Sequence, residues 1–224
     1  MAVANKIVIL TVHGIGPTCR PFEPGEDRTW VTVEQFEQVL DAVVGRPDVR
    51  LTFDDGNASD VEIGLPRLLE RGLSAEFFVL AGLLGEAGRL DEADVRKLHE
   101  AGMRVGSHGW AHRDWRQLQP DLRSQEMGDA RRVLAELIGA PVSRVAIPFG
   151  SYDRHVLRHL RRTGVTRAFT SDGGPARPEG WLQPRTSLTA EIGPDWIRSV
   201  LNERPSPALR ARRIGARSLK RVRR

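Results

Sequence analysis

Two adjacent carboxylates, Asp54 and Asp55, follow an apolar run in the segment LTFDDGNASD, residues 51 to 60. Side chains alternate between the two faces of a strand, so neighbouring acids can act at one site only where the strand has ended. The simplest interpretation is a turn, because Asp, Gly and Asn are common turn residues. The alternative is a site in which one acid binds a metal ion and the other accepts a proton.

A histidine pair could supply the remaining metal ligands. His108 and His112 lie four residues apart in the segment SHGWAH, and this spacing lets two imidazoles reach one ion. Two neutral nitrogens and one carboxylate oxygen, here from Asp55, form a ligand set of catalytic zinc that leaves positions for water and substrate. Asp54 could then take a proton from the activated water, whose pKa such a metal lowers from ~15.7 to about 7.

The same histidine spacing occurs a second time, at His155 and His159, and there it indicates an exposed helix face. At roughly 100° per residue both histidines lie on the side of Arg158 and Arg162, opposite an apolar stripe. An HxxxH pair alone is therefore weak support for a metal site, and its place in the fold has to decide.

Alternating strand and helix patterns predict the elements that position these residues. Apolar runs predict strands at 6–13, 75–80, 103–108, 143–150 and 167–171. Helical periodicity predicts helices at 60–71, 91–101, 121–138, 152–163 and 194–202, and another within 28–41 that begins at the capping residue Thr32. This order predicts a parallel α/β sheet, open or closed into a barrel. Functional loops follow the carboxyl ends of such strands, where both aspartates, His108 and Phe149 fall.

Length and composition favour one globular domain. A chain of 224 residues with 40% hydrophobic residues can bury a full core. Its apolar stretches are too short to span a bilayer, and its first residues lack the basic region and cleavage site of a signal peptide. The single cysteine, Cys19, excludes an internal disulfide and a cysteine-rich zinc site.

The charge is divided between a mildly acidic body and a basic tail. The formal net charge is +5, and nine Lys or Arg residues without an acid lie between Arg204 and Arg224, so subtracting nine leaves −4 for residues 1–203. An acidic body argues against a nucleic-acid-binding core. We predict a catalytic domain at 1–203 and a tail at 204–224 that is disordered or an amphipathic helix suited to an anionic membrane surface. A nucleic-acid clamp is the weaker alternative for the tail, with salt-dependent DNA binding as its mark.

Two motifs at this separation resemble the polysaccharide deacetylases, the NodB homology domain of carbohydrate esterase family four. TFDDG is followed about fifty residues later by SHGWAH, and the segments TVEQFEQVLD, LPRLLERGLSAEFFVL, LHEAGMRVGSH and AIPFGSYD occur in family order between residue 6 and about residue 190. The resemblance implies a distorted (β/α) barrel and metal-dependent removal of acetyl groups from glycans. By position, Asp54 resembles the catalytic base of the family. Three further residues resemble its metal ligands: Asp55, His108 and His112.

The segment IPFG resembles the third family motif, in which a backbone N–H, here that of Phe149, helps to hold the oxyanion. The common pattern has an arginine where this chain has Ala146, and a late histidine acid where this chain has none. A subgroup associated with exopolysaccharide synthesis is more similar, with an early histidine and a late arginine after proline. By that resemblance His13, in ILTVHG, is the general acid, and Arg185, in LQPRTSL, orients the base. An imidazole with a pKa near ~6.5 suits this acid role.

The implied activity is N-deacetylation of glycan sugars with zinc, or with cobalt, nickel or iron, in polysaccharide biosynthesis or modification. The expected location is cytoplasmic, at the inner membrane leaflet. Trp110 and Trp181 are candidates for stacking on sugar faces, although each could equally wedge a loop. The alternative class is a non-catalytic, metal-stabilised module that binds a glycan or a partner glycosyltransferase. The residues leave open which sugar is bound, whether the acetyl group is N- or O-linked, and the oligomeric state.

Overall fold

An eight-stranded parallel sheet forms the centre of the protein in the computed structural model, which describes residues 6–202 together with Gly215, Ser218 and Lys220. In spatial order the strands are β10 (Thr186–Ser187), β1 (Val8–Val12), β4 (Val49–Phe53), β5 (Ala75–Val79), β6 (Arg104–Ser107), β7 (Arg144–Ala146), β8 (Arg167–Thr170) and β9 (Leu182–Pro184). A separate parallel pair consists of β2 (Gly14–Ile15) and β3 (Trp30–Val31). The end strands β9 and β10 are separated in the chain by Arg185 alone, so the sheet closes into a nearly complete barrel at this residue.

Helices cover the outside of the barrel. The α-helices are α1 (Val33–Val43), α2 (Leu65–Glu70), α3 (Glu92–Glu100), α4 (Pro120–Ser124), α5 (Ala130–Ile138), α6 (Arg154–Arg162) and α7 (Pro194–Asn202). One π-helical segment, Asp60–Gly64, leads into α2, and a second, Gln125–Asp129, joins α4 to α5. In the described part of the chain, no helix is both long enough and apolar enough to span a bilayer. The distorted (β/α) barrel predicted from the sequence is confirmed.

The predicted elements form, most of them with shortened ends, and α1 shows why one of them begins where it does. Thr32 is its capping residue: the Thr32 hydroxyl accepts from Gln35 N at 3.1 Å, and the Gln35 side chain accepts from Thr32 N at 2.9 Å. This reciprocal pair satisfies two backbone donors that the helix itself leaves unpaired. Phe36 and Leu40 are fully buried beneath it. Residues 28–31 precede the cap and lie outside α1, in a 3₁₀ turn and β3.

Alternate side chains along the strands point into the barrel and stack in layers. At the amino ends of the strands Glu76 pairs with Arg144, whose guanidinium lies 5.2 Å from the centre of the Phe169 ring. Phe169 packs against Phe78 with ring centres 4.8 Å apart. Gly106 leaves room for the Phe78 ring, because a Cβ at residue 106 would lie 2.6 Å from it. The barrel is thus filled with side chains, and the layer above the aromatic pair lies at the carboxyl ends of the strands.

Apolar side chains on the outer face of the sheet pack under the helices. Phe53 and Phe77 stack with ring centres 4.4 Å apart, and Phe36 of α1 meets Phe53 edge-on at 5.9 Å. All three rings are fully buried, and burial of one such side chain contributes roughly 1.5–3 kcal/mol. This outer core holds β4 and β5 rigidly, and β4 carries the two aspartates at its end.

Most of the tail lies outside the described residues, including the amphipathic helix predicted there. Three of its residues are helical: Gly215, Ser218 and Lys220. Lys220 Nζ lies 2.8 Å from Asp172 Oδ1 and donates to the Gly150 carbonyl oxygen at 3.0 Å. Lys220 therefore lies at the carboxyl ends of β7 and β8. The domain boundary between residues 203 and 204 stays a prediction.

Candidate active site

The predicted metal ligands come together at the carboxyl ends of β4 and β6. Asp55, His108 and His112 each present one ligand atom, and these atoms lie within 4.8 Å of one another. His108 Nε2 is 3.3 Å and His112 Nε2 is 3.6 Å from the same oxygen, Asp55 Oδ1. The second HxxxH pair lies on α6, where His155 is exposed and His159 is half-buried, with no such cluster around it among the described residues.

Backbone geometry turns the two adjacent aspartates toward one centre. Asp54 continues the alternation of β4 and points into the barrel with Thr52, to which it is linked through Arg185. Asp55 has a φ of 74° and His112 a φ of 53°, both in the left-handed region. Non-glycine residues held there cost about 1–3 kcal/mol, and such strain clusters at functional sites. The left-handed step at Asp55 redirects its carboxylate from the outer face to the histidines.

The donor set fits a divalent metal ion. His108 Nδ1 lies 2.9 Å from the Ala146 carbonyl oxygen, so Nδ1 carries the proton and Nε2 is left as a free ligand atom. Asp55 Oδ1 is buried and has no hydrogen-bond partner among the described residues. A buried carboxylate oxygen without a donor is costly unless a cation compensates for it. Two imidazole nitrogens and a carboxylate oxygen suit zinc, and also cobalt, nickel or iron.

The electrostatics hold two of the three ligands, Asp55 and His112, in the protonation states that metal binding requires. For His108, burial lowers the pKa, but Asp54 and Asp55 outweigh burial and the net shift is upward. Burial opposes ionisation of Asp55, but its interactions with His108 and His112 outweigh this effect and hold its pKa well below the ordinary value. Burial lowers the pKa of His112 to about 4, against the opposing influence of Asp55. At neutral pH Asp55 is therefore a carboxylate and His112 a neutral imidazole, as metal ligation requires.

Arg185 forms a two-pronged ion pair with Asp54. Its Nη1 lies 2.7 Å from Asp54 Oδ1 and its Nη2 lies 2.6 Å from Asp54 Oδ2, and Nη1 also donates to the Thr52 hydroxyl at 3.1 Å. Both charged side chains are only 3% exposed. Burial raises the pKa of Asp54, but the Arg185 charge and then the His108 charge outweigh it, so the net shift is downward. Asp54 is thus held ionised and fixed in direction.

The guanidinium of Arg185 packs on the two aromatic rings inside the barrel, Phe78 and Phe169. The guanidinium carbon lies 5.3 Å from the centre of the Phe78 ring and 5.7 Å from that of Phe169. Cations are attracted to such ring faces, and planar guanidinium groups pack well on them. Ala146, at the position of the common family arginine, is buried beside the same two rings. Arg185 therefore packs on the same aromatic layer, Phe78 and Phe169, to which Ala146 belongs.

His13 and Phe149 lie at the edge of the same centre. His13 follows β1 and is half-buried, and the residue before it, Val12, accepts a hydrogen bond from Asp54 N at 2.9 Å. Phe149 has a left-handed φ of 57°, and its ring packs on His112 with centres 4.3 Å apart while remaining 64% exposed. The exposed face of Phe149 thus forms part of the rim of the site.

The two predicted sugar-stacking tryptophans are not equivalent. Trp110 belongs to the loop between the histidines, where its half-buried indole packs over Gly82. Trp181 lies at the opposite end of the barrel, because it precedes β9 and the site follows that strand. Its indole N–H donates to the Val165 carbonyl oxygen at 2.8 Å, and Arg161 covers its ring at 4.1 Å. The structure does not bring Trp181 to the site, so the predicted contact between Trp181 and a sugar is not supported. The packing of the Trp181 indole supports the alternative, in which the residue wedges a loop.

The sequence reasoning missed Glu126, which holds the histidine loop in place. Its carboxylate is 1% exposed and accepts from Trp110 N at 3.1 Å and from Ala111 N at 3.0 Å. The Trp115 indole N–H donates to the same carboxylate at 3.4 Å. A signal was present, because Glu126 lies four residues before Ala130 on the buried side of the helix. An acid in an apolar stripe needs such donors.

Comparison with known proteins gives relatives of one kind. A family model described as polysaccharide deacetylase matches residues 41–168. A Bacillus subtilis (strain 168) protein named "Putative polysaccharide deacetylase YxkH" is 25% identical over 128 residues, which cover 57% of this chain and 46% of that protein. The match thus spans about half the length of this relative.

Two solved structures share the fold over 88% of this chain. The Streptococcus pyogenes deacetylase PplD, in complex with acetate, superposes with a TM-score of 0.76 at 23% identity, and 99% of its chain is covered. IcaB from Ammonifex degensii superposes with a TM-score of 0.68 at 22% identity over 95% of its chain. The family model covers more than half of this sequence and includes both aspartates and both histidines of the site. This chain belongs to the polysaccharide deacetylase family.

Proposed function

We propose that this protein is a metal-dependent N-deacetylase that hydrolyses the acetamide of N-acetylated sugars in a glycan. The observation that carries the proposal is the placement of a complete Asp–His–His ligand set beside the buried Asp54–Arg185 pair. A binding module would need the ligands for stability, but it would have no use for a base that is held ionised by a buried arginine. The membership of the family supports the same reaction.

Asp55, His108 and His112 would hold the metal, with zinc as the first candidate. When bound, such an ion supplies Lewis-acid polarisation of the amide carbonyl and lowers the pKa of water. The protein fixes the direction of the two histidine ligands, because His108 is tied to the Ala146 carbonyl and the Glu126 carboxylate holds the loop of His112. Hydrogen bonds of this kind, one step removed from the ion, tune metal affinity.

Asp54 is the proposed general base. Its carboxylate takes one proton from water as the water oxygen bonds to the acetamide carbon. Arg185 keeps Asp54 ionised and aimed, since both carboxylate oxygens are held by one planar guanidinium. The negative charge that develops on the former carbonyl oxygen would be held in part by the Phe149 N–H, a contribution of ~2.7–4 kcal/mol for a typical preorganised donor.

His13 is the proposed general acid. When the carbon–nitrogen bond breaks, the sugar nitrogen leaves as a poor leaving group unless it is protonated. The His13 imidazolium gives one proton to this nitrogen, so the products are an amino sugar and acetate. The support from geometry is that His13 directly follows Val12, whose carbonyl oxygen accepts from Asp54 N at 2.9 Å, so the two residues lie at the ends of neighbouring strands.

The basic tail supports a proposed location. Nine cations between Arg204 and Arg224 suit attraction to the anionic inner leaflet, at about 1 kcal/mol for each cation near the headgroups. We therefore place the enzyme on the cytoplasmic side of that membrane, acting in polysaccharide biosynthesis or modification.

The test combines metal analysis with acetate release from N-acetylhexosamine oligomers. We expect about one metal ion per chain, by analogy with mononuclear catalytic sites, and acetate release that a chelator abolishes and zinc restores. An O-acetylated saccharide tested in parallel separates N- from O-deacetylation. Stoichiometric metal without acetate release from any saccharide would contradict the enzyme and support the non-catalytic module.

A further inference from the structure

A buried asparagine connects the aspartate turn to the chain segment of His13. Asn57 lies two residues after Asp55 and is 0% exposed. Its side-chain nitrogen donates to the His13 carbonyl oxygen. Its side-chain oxygen accepts from Arg20 Nη2 at 2.7 Å and from Arg89 Nη1 at 3.0 Å. One amide thus links the end of β4 to the residue that follows β1.

The two arginines fix the orientation of this amide. Rotating it by 180° would direct its NH₂ group at two cations and its oxygen at a carbonyl oxygen, so only one orientation is compatible with its neighbours. Arg20 is itself paired with Glu26 through both of its terminal nitrogens, and Arg89 Nη2 lies 2.8 Å from Glu23 Oε1. Glu26 and Glu23 therefore balance the positive charges of the two arginines, Arg20 and Arg89, that hold Asn57.

The His13 ring is not fixed by a hydrogen bond at Nδ1, which is buried and has no partner among the described residues. The hydrogen bond from Asn57 to the His13 carbonyl oxygen instead fixes the backbone from which the imidazole projects. On the other side, Gly14 packs directly on Trp30, since a Cβ at Gly14 would lie 2.3 Å from that ring. Asn57 and Trp30 together confine the short segment between β1 and β2.

We propose that Asn57 is a positioning residue that sets the place of the His13 imidazole for proton transfer to the leaving amine. The inference rests on the proposed function, because it needs His13 to be the general acid. The Asn57 side chain is hydrogen-bonded to the His13 backbone and, within the described residues, not to Asp54 or a metal ligand. Arg89 Nη1, which donates to it, also donates to the Asp55 carbonyl oxygen at 3.3 Å. A displacement of about 1 Å in a catalytic group can cost roughly 10²-fold in rate.

The sharpest variant is Asn57→Asp. A carboxylate there still accepts from Arg20 and Arg89, but it no longer donates to the His13 carbonyl oxygen and repels it instead. We expect a loss of roughly 10–100-fold in kcat/KM for an N-acetylhexosamine oligomer. For an activated aryl acetate, whose leaving group needs no proton, the change should stay within about twofold, with metal content unchanged. Asn202→Asp is the matched control, since Asn202 Oδ1 accepts from Arg46 Nη1 at 3.1 Å on the surface.

A double-mutant cycle and a spectroscopic signal complete the test. His13→Ala should show the same substrate selectivity, and the His13→Ala/Asn57→Asp double variant should lose nothing further on the amide. NMR signals of the His13 imidazole should shift in Asn57→Asp and stay in place in Asn202→Asp. Additive losses, equal losses on both substrates or an unmoved His13 signal would overturn the positioning role.

The two proposals fail in different ways. If His13→Ala loses activity equally on the amide and the aryl acetate, His13 is not the general acid, and the positioning role falls with that part of the proposed function. If His13→Ala is selective for the amide and Asn57→Asp is not, the general acid stands and only the inference about Asn57 is overturned.

Discussion

At the scale of single residues, the two adjacent acids can have different roles because the backbone changes from the extended conformation of β4 to a left-handed conformation at Asp55. Asp54 keeps the inward direction of β4 and meets Arg185 in the barrel. Asp55 adopts a left-handed φ of 74° and turns toward His108 and His112. Repulsion between the neighbours is offset because each carboxylate has its own positive partners: the guanidinium for one, the proposed metal for the other.

Removing a ligand and removing the base should therefore give different results. His112→Ala should lose metal and acetate release together, whereas Asp54→Asn should keep metal and lose acetate release by several orders of magnitude. Metal content by mass spectrometry and acetate release by coupled assay measure both effects. His155→Ala is the matched control, because it removes one imidazole of an HxxxH pair on exposed α6. Full metal in His112→Ala, or lost metal in Asp54→Asn, would contradict the assignment.

Arg185→Ala should lower kcat by roughly one to three orders of magnitude, about 1.4–4 kcal/mol of barrier. Opposite unit charges about 4 Å apart interact by about 4 kcal/mol at an effective dielectric near 20, so Asp54 loses much of what keeps it ionised. Metal content should not change. Arg185→Lys should restore little activity, because one ammonium group cannot hold both carboxylate oxygens. Steady-state kinetics of the three proteins check this, and near-parent turnover in Arg185→Ala would refute the role.

At the scale of elements, the histidine loop depends on a helix that carries no ligand. Glu126, in the π-helical segment before α5, accepts from two successive backbone N–H groups of the loop between His108 and His112. Gly109 is required beside it, because a Cβ there would lie 2.7 Å from a Glu126 oxygen and the φ is 99°. A carboxylate on one element thus fixes the backbone of another, including the left-handed His112.

Glu126→Ala should weaken metal binding by roughly 10–100-fold, in the range found when groups that orient ligands are removed. The reason is that two buried backbone donors lose their acceptor and the loop relaxes, so His112 is no longer held toward Asp55. Competition with a chromogenic chelator measures the change in affinity. Glu136→Ala on α5 is the control, since exposed Glu136 pairs with exposed Arg132 at 3.1 Å. Equal metal affinity in the two variants would rule out this role for Glu126.

At the scale of the whole molecule, the negative charges of the site affect stability through a third buried acid, Asp60. Asp60 is 1% exposed, and its Oδ1 has no hydrogen-bond partner among the described residues. Burial first, and then the charges of Asp55 and Asp54, raise its pKa well above the ordinary value of 3.8. The folded protein therefore holds a proton on Asp60 that the unfolded chain has already released.

This difference gives a sign to the dependence of stability on pH. Between the unfolded value near 3.8 and the raised folded value, the folded state binds more protons than the unfolded state, so the Asp60 contribution to the unfolding free energy falls as pH rises. Asp60→Asn removes this fall in the unfolding free energy, because an amide does not ionise. In metal-free protein the variant should match the parent near pH 4 and become the more stable of the two as pH rises to 7. Thermal melts at several pH values measure the gap, and a variant no more stable than the parent at pH 7 would contradict it.

The tail prediction also belongs to the whole molecule. Full-length protein should partition onto anionic vesicles more strongly than a chain that ends at Glu203, because nine cations follow that residue. Sedimentation with vesicles measures the bound fraction, with zwitterionic vesicles and high salt as controls that remove the difference. Equal partitioning of the two chains would refute a role for the tail at the membrane.

The sequence by itself determined most of the central strands and helices and identified the candidate ligand set. Periodicity is a local property, and it correctly places β4, β6 and the helices between them; the carboxyl ends of parallel strands share one face, so Asp55 had to approach His108. Thr32 was identifiable as a helix cap for the same reason, since its hydrogen bonds span only three residues.

Only the tertiary structure decided which distant residues meet these elements. Arg185 reaches Asp54 across 131 residues of chain because the barrel closes at Arg185, between the strand that pairs with β8 and the strand that pairs with β1. The family resemblance suggested that pairing, whereas no local pattern distinguishes Arg185 from a surface arginine. The contacts of Glu126 and Asn57, and the place of Trp181 at the opposite end of the barrel from the site, likewise depend on the tertiary structure. Side-chain direction follows from local alternation, but partnership depends on strand order, and strand order is set by the packing of the whole chain.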